Sequence, residues 1–110
     1  MNAKAFARLL ERDGWQCVHC GQDQALSPNH RINRGMGGSK QLDRPANLVV
    51  ICSRLNGLIE SNAFYRDMAL ENGWKLERWQ TPEETPVFDA CVGLWFMLDN
   101  DYKRTVVEKD

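Results

Sequence analysis

A short stretch of the chain, residues 27–39, concentrates side chains that can do chemistry on a phosphate. It contains His30, one of only two histidines in the 110 residues, and an imidazole can take a proton from water near neutral pH. Arg31 and Arg34 follow it, and their planar guanidinium groups match the oxygens of a phosphate. The loop beyond them is rich in glycine, which lets a backbone approach a ligand closely. The stretch therefore indicates a site for attack on a phosphate.

Three segments in the same order resemble the small HNH endonucleases of phage genomes, the family with a ββα-metal or His-Me finger core. They read NHRINRGMGGS from Asn29, RPANLVVIC from Arg44 and LNGLIESN from Leu55. The similarity extends from about Trp15 to Trp74, roughly half of the chain. It implies a metal-dependent enzyme that hydrolyses phosphodiester bonds of DNA. It also implies an α+β fold in which an N-terminal helix and a C-terminal β-hairpin flank the ββα-metal core.

The resemblance assigns roles to individual residues of the site. His30 matches the general base, and Asn47 matches the central asparagine that orients it. Asn29 and Asn56 stand where the family usually places metal ligands with a charge or an imidazole. An amide oxygen is a neutral, hard ligand that suits Mg²⁺ or Mn²⁺ better than Zn²⁺. Glu60, one helical turn beyond Asn56, is the nearest carboxylate that could compensate, so the implied catalytic cofactor is Mg²⁺ or Mn²⁺.

The two asparagines leave two functions open. One is an HNH endonuclease that nicks or cleaves DNA with one divalent ion and a histidine base. The other is a DNA-binding protein on the same fold, in which Asn29 and Asn56 record a lost metal site. An assay of plasmid nicking in the presence of a divalent ion separates the two functions, when the natural chain is compared with His30→Ala.

Arg31, Arg34 and Lys40 are the residues that we expect to contact DNA, through its phosphates rather than its bases. The formal net charge of −1 gives no signal for nucleic acid, but its distribution does, because residues 1–59 carry +4 and residues 60–110 carry −5. A basic front half can face DNA while an acidic tail keeps the molecule soluble. The resemblance adds phage packaging or recombination proteins as candidate partners.

The four cysteines divide into a cluster of three and one outlier. Cys17 and Cys20 form a Cys-x-x-Cys-Gly turn, which aims two thiolates at one point and is half of a zinc knuckle. Cys52 lies where many HNH proteins begin the second half, but Leu55 stands where the fourth sulfur should be. Three interpretations stay open: structural zinc held with water or another ligand, a lapsed site of small buried thiols, and a disulfide, the least favoured. Cys91 is expected to be a buried thiol.

Length and composition favour one domain over residues 1–110, with a motif core at about 15–74 and a hairpin extension at about 87–107. Apolar residues make up 43% and charged residues 26% of the chain, close to the averages of globular proteins, which excludes extensive disorder. No apolar run approaches membrane-spanning length, and the N-terminus lacks the apolar core of a signal peptide. The expected location is the cytoplasm, which the resemblance specifies as that of a bacterial host.

Hydrophobic periodicity predicts the elements that must position the site. Residues 3–13 read as an amphipathic helix that Gly14 ends. Residues 26–30 read as a short strand whose end presents His30, and residues 47–51 read as its partner strand.

A second group of elements is predicted after these strands. One helix, capped by Ser53, is expected from Arg54 to about Asn72. Alternating apolar and charged residues indicate an extended segment over 74–79. Residues 87–107 contain two β-rich runs on either side of an Asp/Asn turn at 99–101, which favours a hairpin packed on the rest of the chain.

Overall fold

The computed structural model describes residues 1–33 and 40–109, with Lys40 described by its backbone alone. Within these residues, three α-helices and five β-strands form an α+β arrangement with two small antiparallel sheets. The elements are α1 (Ala3–Asp13), β1 (Leu26–His30), β2 (Leu48–Cys52), α2 (Ser53–Ser61), α3 (Ala63–Asn72), β3 (Val87–Asp89), β4 (Leu94–Leu98) and β5 (Arg104–Val107). The α+β class expected from the sequence is confirmed.

Helix α1 has the bounds that its periodicity predicted. The side chain of Asn2 accepts a hydrogen bond from the backbone N–H of Ala5 (2.8 Å), which satisfies one free donor of the first turn. Gly14 ends the helix with a φ of +83°, a conformation that glycine adopts without strain. Leu9 and Leu10 are buried in one cluster with side chains of β2. The helix therefore covers one face of β2.

A buried ion pair fastens the end of α1 to β2. The guanidinium of Arg12 donates to Asp13 (2.7 Å) and to the backbone oxygen of Leu48 (2.6 Å). Asp13 in turn accepts a hydrogen bond from the backbone N–H of Val50 (3.0 Å). Because each charge has several partners, the pair can stay buried.

Strands β1 and β2 pair antiparallel, with His30 opposite Leu48. Strand β1 has the predicted bounds, and β2 begins one residue later than expected because Pro45–Asn47 form a 3₁₀ turn. Every residue of β2 is buried, since α1 covers one face while α2 and the second sheet pack on the other. The end of β1 is thereby held on a rigid support.

The single helix expected from Arg54 to Asn72 is wrong, because the chain breaks at Asn62. Asn62 has extended backbone angles (φ −134°, ψ 122°), and its side chain accepts hydrogen bonds from the N–H groups of the first turn of α3. Asparagine competes with the helix in this way because its short side chain can cap a new one. At the start of α2 the capping side chain is Cys52, not Ser53 as expected.

The extended segment expected over 74–79 is instead an irregular corner, so that expectation is wrong. Gly73 has a φ of +76°, and a Cβ there would lie 2.2 Å from the backbone oxygen of Pro86, so only glycine fits. Trp74 is buried, and its indole N–H donates to a backbone carbonyl of β3 (2.8 Å). Leu76 is buried as well. The apolar alternation therefore reflects two buried side chains in a loop.

The expected C-terminal hairpin is present as β4 and β5, and β3 adds a third strand through the pairing of Val87 with Phe96. Phe96 and Leu98 are buried in the main core together with side chains of β2 and α2. This sheet therefore closes the core on the face of β2 that α1 leaves free. Cys91, in the turn before β4, is exposed, which corrects the expectation of a buried thiol.

Candidate functional site

A cleft of about 230 Å³ opens at the end of β1, between that strand, α2, α3 and the corner that follows α3. One water molecule occupies ~30 Å³ of liquid, so the cleft has room for a small anion together with water. Its lining includes Asn29, His30, Asn56, Glu60, Arg66 and Lys75. The first four were singled out in the sequence and are brought together here, whereas the last two were not.

The imidazole of His30 is held by a carboxylate. Its Nε2 lies 2.7 Å from Oδ1 of Asp43, and 28% and 35% of the two side chains are exposed. An ionised carboxylate only accepts hydrogen bonds, so a neutral ring in this contact carries its proton on Nε2 and its lone pair on Nδ1. A carboxylate in this position can hold an imidazole in one tautomer.

Sequence reasoning missed Asp43. The residue lies 13 positions from His30, in the 3₁₀ turn Lys40–Asp43, and only the folded loop brings the two together. One signal could have found it: residues 31–46, the predicted loop between the two strands, contain a single carboxylate. A histidine that works as a base needs an orienting partner, and this loop offers only one acidic candidate.

Asn29 is fixed by the corner after α3. Its amide nitrogen donates to the backbone oxygen of Trp74 (2.9 Å). Among residues 1–33 and 40–109, the amide oxygen has no hydrogen-bond partner, so it is the free acceptor that Asn29 contributes to the cleft. The burial of Trp74 makes this a rigid attachment.

Asn56 and Glu60 lie one turn apart on α2, and both are exposed at the cleft. With Asn29 they offer two amide oxygens and one carboxylate. Hard oxygen ligands of this kind suit Mg²⁺ or Mn²⁺, so the donor set fits the ion that the resemblance implies. Glu60 is the one carboxylate among the described residues that line the cleft.

Asn47 holds the loop rather than the imidazole. Its buried side chain accepts from the N–H of Ile32 (2.8 Å) and donates to the backbone oxygens of Ile32 (3.1 Å) and Leu42 (2.8 Å). Within the described part of the chain, none of its hydrogen bonds goes to His30. The side chain of Asn47 ties together the two ends of the loop, and Asp43 is the group that hydrogen-bonds to the imidazole.

The expectation that Arg31 contacts DNA is also corrected, because its side chain cannot reach DNA. Its side chain is fully buried, and its guanidinium donates to backbone oxygens at 2.7–3.0 Å, those of Ala46, Gly73, Pro82 and Thr85. Burial, together with the nearby charge of Arg12, lowers the pKa of Arg31 to about 10, so the group still carries its charge at neutral pH. This arginine joins three loops from the inside.

The other two expected DNA contacts are not placed. Arg34 lies outside the described residues, and Lys40 is described by its backbone alone.

Cys17, Cys20 and Cys52 converge as expected. Their sulfur atoms all lie within 4.8 Å of one another, and those of Cys20 and Cys52 are 3.8 Å apart. Two sulfurs bound to one tetrahedral zinc ion at ~2.3 Å are about 3.8 Å apart. The cysteines are free thiols, so the cluster fits a metal ion that prefers sulfur.

Leu55 does not replace the fourth sulfur with another ligand. It is buried in the core, and its backbone N–H donates to the sulfur of Cys52 (3.4 Å). A cavity of about 50 Å³ lies beside Cys20, Cys52 and Tyr65. A site needs roughly 10–15 Å³ to hold a water molecule, so a water could complete the coordination.

The thiols of the cluster differ in acidity. Burial raises the pKa of Cys17 to about 11. The pKa of Cys20 is lowered: burial opposes this, but hydrogen bonds from the backbone at Gln22 and from the other two thiols outweigh it. Cys20, the exposed member of the cluster, therefore becomes a thiolate more readily than Cys17.

Two neighbours of the cluster do not belong to it. The ring of His19 packs edge-on against Trp74 at 5.3 Å between centroids, and burial, with the charge of Arg54, lowers its pKa. The thiol of Cys91 donates to the backbone oxygen of Cys17 (3.2 Å). Among the residues that the structure describes, this sulfur cluster therefore consists of Cys17, Cys20 and Cys52 alone.

Comparison of this chain with family models, curated proteins and solved structures finds no match. In the described part of the chain, no helix has the length and apolar character needed to cross a membrane.

Proposed function

We propose that this protein is an HNH-type endonuclease that hydrolyses DNA phosphodiester bonds with one divalent metal ion and a histidine base. The observation that carries the proposal is one cleft, which is lined by His30, held by Asp43, and by Asn29, Asn56 and Glu60. The proposal is also supported by the order of β1, β2 and α2 along the chain, which is the order that a ββα core would have. The resemblance to phage enzymes adds the bacterial cytoplasm, and phage packaging or recombination proteins, as the proposed setting.

Each residue has one task in this reaction. Nδ1 of His30 accepts the proton of the attacking water, and Asp43 stabilises the imidazolium that forms. Asn29, Asn56 and Glu60 would hold Mg²⁺ or Mn²⁺. The bound ion would stabilise the negative charge that develops on the phosphate and on the leaving oxygen.

Metal-dependent nicking of a supercoiled plasmid tests the proposal. The natural chain is expected to nick DNA in Mn²⁺ or Mg²⁺ and to be inactive in EDTA. Asn29→Asp should lower the metal concentration for half-maximal nicking on the order of tenfold, which corresponds to about 1.4 kcal/mol of binding free energy, because it adds a charged ligand. Asn33→Asp is the matched control, since Asn33 also lines the cleft but is not a proposed ligand.

A second function is favoured by one observation, the neutral amides at both ligand positions. A protein of this kind would bind DNA without cutting it. Absence of nicking by the natural chain in every divalent ion, with nicking restored by Asn29→Asp, would establish this alternative and reject the enzyme. Equal effects of Asn29→Asp and Asn33→Asp would instead reject Asn29 as a ligand.

We also propose that Cys17, Cys20 and Cys52 hold a structural zinc ion, with water as the fourth ligand. The support is the spacing of the sulfurs and the adjacent cavity. Such an ion would join the turn after α1 to the start of α2 and so support the helix that carries Asn56 and Glu60.

Zinc loss is expected to destabilise the fold, because a structural ion contributes folding free energy directly. Cys20→Ser should remove zinc and lower the melting temperature by about 10 °C, equivalent to roughly 2 kcal/mol in a domain of this size. Cys91→Ser is the matched control, since both thiols are exposed and only Cys20 belongs to the cluster. The zinc proposal is rejected if the purified natural chain contains less than a trace of zinc and the two variants have equal melting temperatures.

A further inference from the structure

We infer that Arg66 and Lys75 form a phosphate subsite at the cleft, in which each of the two cations contacts a backbone phosphate of duplex DNA. Both side chains line the cleft that contains His30, and neither lies in the three motif segments that start at Asn29, Arg44 and Leu55 or among the residues expected to contact DNA. The inference rests on the proposed function, since it names the groups that hold the substrate of the same site.

Arg66 reaches the cleft because the helix breaks. It lies in the first turn of α3, where its backbone N–H donates to the oxygen of Asn62 (3.0 Å). Asn62 separates α3 from α2, so a cation from α3 and the carboxylate of Glu60 from α2 line the same space. The side chain of Arg66 is exposed and, among residues 1–33 and 40–109, has no ion-pair partner.

Lys75 is presented by the rigid corner after α3. Its backbone N–H donates to the oxygen of Ala69 (3.1 Å), and its neighbours Trp74 and Leu76 are both buried. The N–H of Leu76 is held by the backbone oxygen of Arg31 (2.7 Å). The ammonium group likewise has no ion-pair partner in the described part of the chain. The backbone that carries Lys75 is therefore fixed, and its charge is free for a ligand.

The charges in the cleft select an anion. Two cations face one carboxylate, Glu60, among the described residues of the lining, and under the proposed function this carboxylate holds the metal ion. Arginine matches two phosphate oxygens with its planar fork, whereas lysine acts as a point charge. Burial removes Arg31 from this task, so Arg66 and Lys75 are the cations that the described cleft offers to a phosphate.

Binding of a fluorescein-labelled DNA duplex, measured by anisotropy in EDTA over a range of KCl concentrations, tests the inference without any cleavage. The Arg66→Ala/Lys75→Ala variant is expected to bind on the order of tenfold more weakly at low salt, with the slope of log K against log[KCl] smaller by about 2, one for each lost phosphate contact. Arg66→Lys/Lys75→Arg should keep the natural slope because both charges remain.

Lys103→Ala/Lys109→Ala is the matched control, because it removes two positive charges near the C-terminal sheet, away from the cleft. It is expected to keep the slope of the natural chain.

Arg66→Gln alone, at an exposed position, should reduce the slope by about 1. This variant replaces the double variant in the test if the double variant does not fold. In the nicking assay, the double variant should raise KM while changing kcat by less than about twofold, as expected for lost ground-state binding.

An unchanged salt slope in both Arg66→Gln and the double variant overturns the subsite, whether or not the natural chain nicks DNA. Absence of duplex binding by the natural chain at low salt overturns it as well. A reduced slope in a natural chain that nicks nothing supports the subsite and rejects the enzyme, so the two proposals fail separately.

Discussion

Replacing His30 by alanine is expected to slow plasmid nicking by ~10²–10⁴-fold, the usual contribution of a positioned general base. The side chain lies at the end of β1 with 28% of its surface exposed, so its removal leaves no cavity in the core. The melting temperature and the affinity for a DNA duplex should therefore stay close to those of the natural chain. A nicking rate of His30→Ala equal to that of the natural chain would contradict the assignment of His30 as the base.

Asp43→Asn refines the same test, because it keeps the size of the side chain and removes its charge. An amide can donate or accept, so it no longer requires the proton on Nε2 of His30. We expect a loss of rate between those of the natural chain and His30→Ala, seen in kcat more than in KM. Asp23→Asn, an exposed carboxylate outside the cleft, is the control. Full activity of Asp43→Asn would show that the contact at 2.7 Å does not orient the base.

The elements that the sequence predicted well are those specified by local interactions. Helix α1 needs only the cap at Asn2, an apolar stripe and the stop at Gly14, all within one short segment. Strand β1 likewise has the bounds that were expected from the sequence. The break at Asn62 was missed because the residues on both sides of it keep a helical apolar stripe, and only the capping geometry shows the interruption.

The site residues were predicted less well where their roles depend on distant contacts. His30 and Arg31 are neighbours, and successive residues of an extended chain point to opposite sides. One of them was therefore bound to face the interior, although the sequence analysis had placed both at the site. The structure buries the arginine and leaves the histidine at the cleft. The partner of His30, Asp43, and the cations Arg66 and Lys75 come from segments that only tertiary packing brings near.

Arg31 is expected to be the residue whose loss damages stability most. In Arg31→Met, four backbone oxygens at Ala46, Gly73, Pro82 and Thr85 lose their donor inside the core. Each buried polar group left unsatisfied costs about 1–3 kcal/mol. Several such losses together amount to a large part of the roughly 5–15 kcal/mol that stabilises a domain.

The melting temperature of Arg31→Met should therefore fall by about 15 °C, measured by circular dichroism. Arg31→Lys should also lose stability, because one ammonium group cannot reach four oxygens that a planar guanidinium spans. Arg54→Met is the matched control, since Arg54 is exposed at the start of α2, and its melting temperature should stay close to that of the natural chain.

DNA binding per folded molecule should keep its salt slope in Arg31→Lys, because the buried charge makes no phosphate contact. A melting temperature unchanged in Arg31→Met, or a salt slope reduced by about 1 in Arg31→Lys, would return this residue to the DNA-binding surface that its position in the motif suggested.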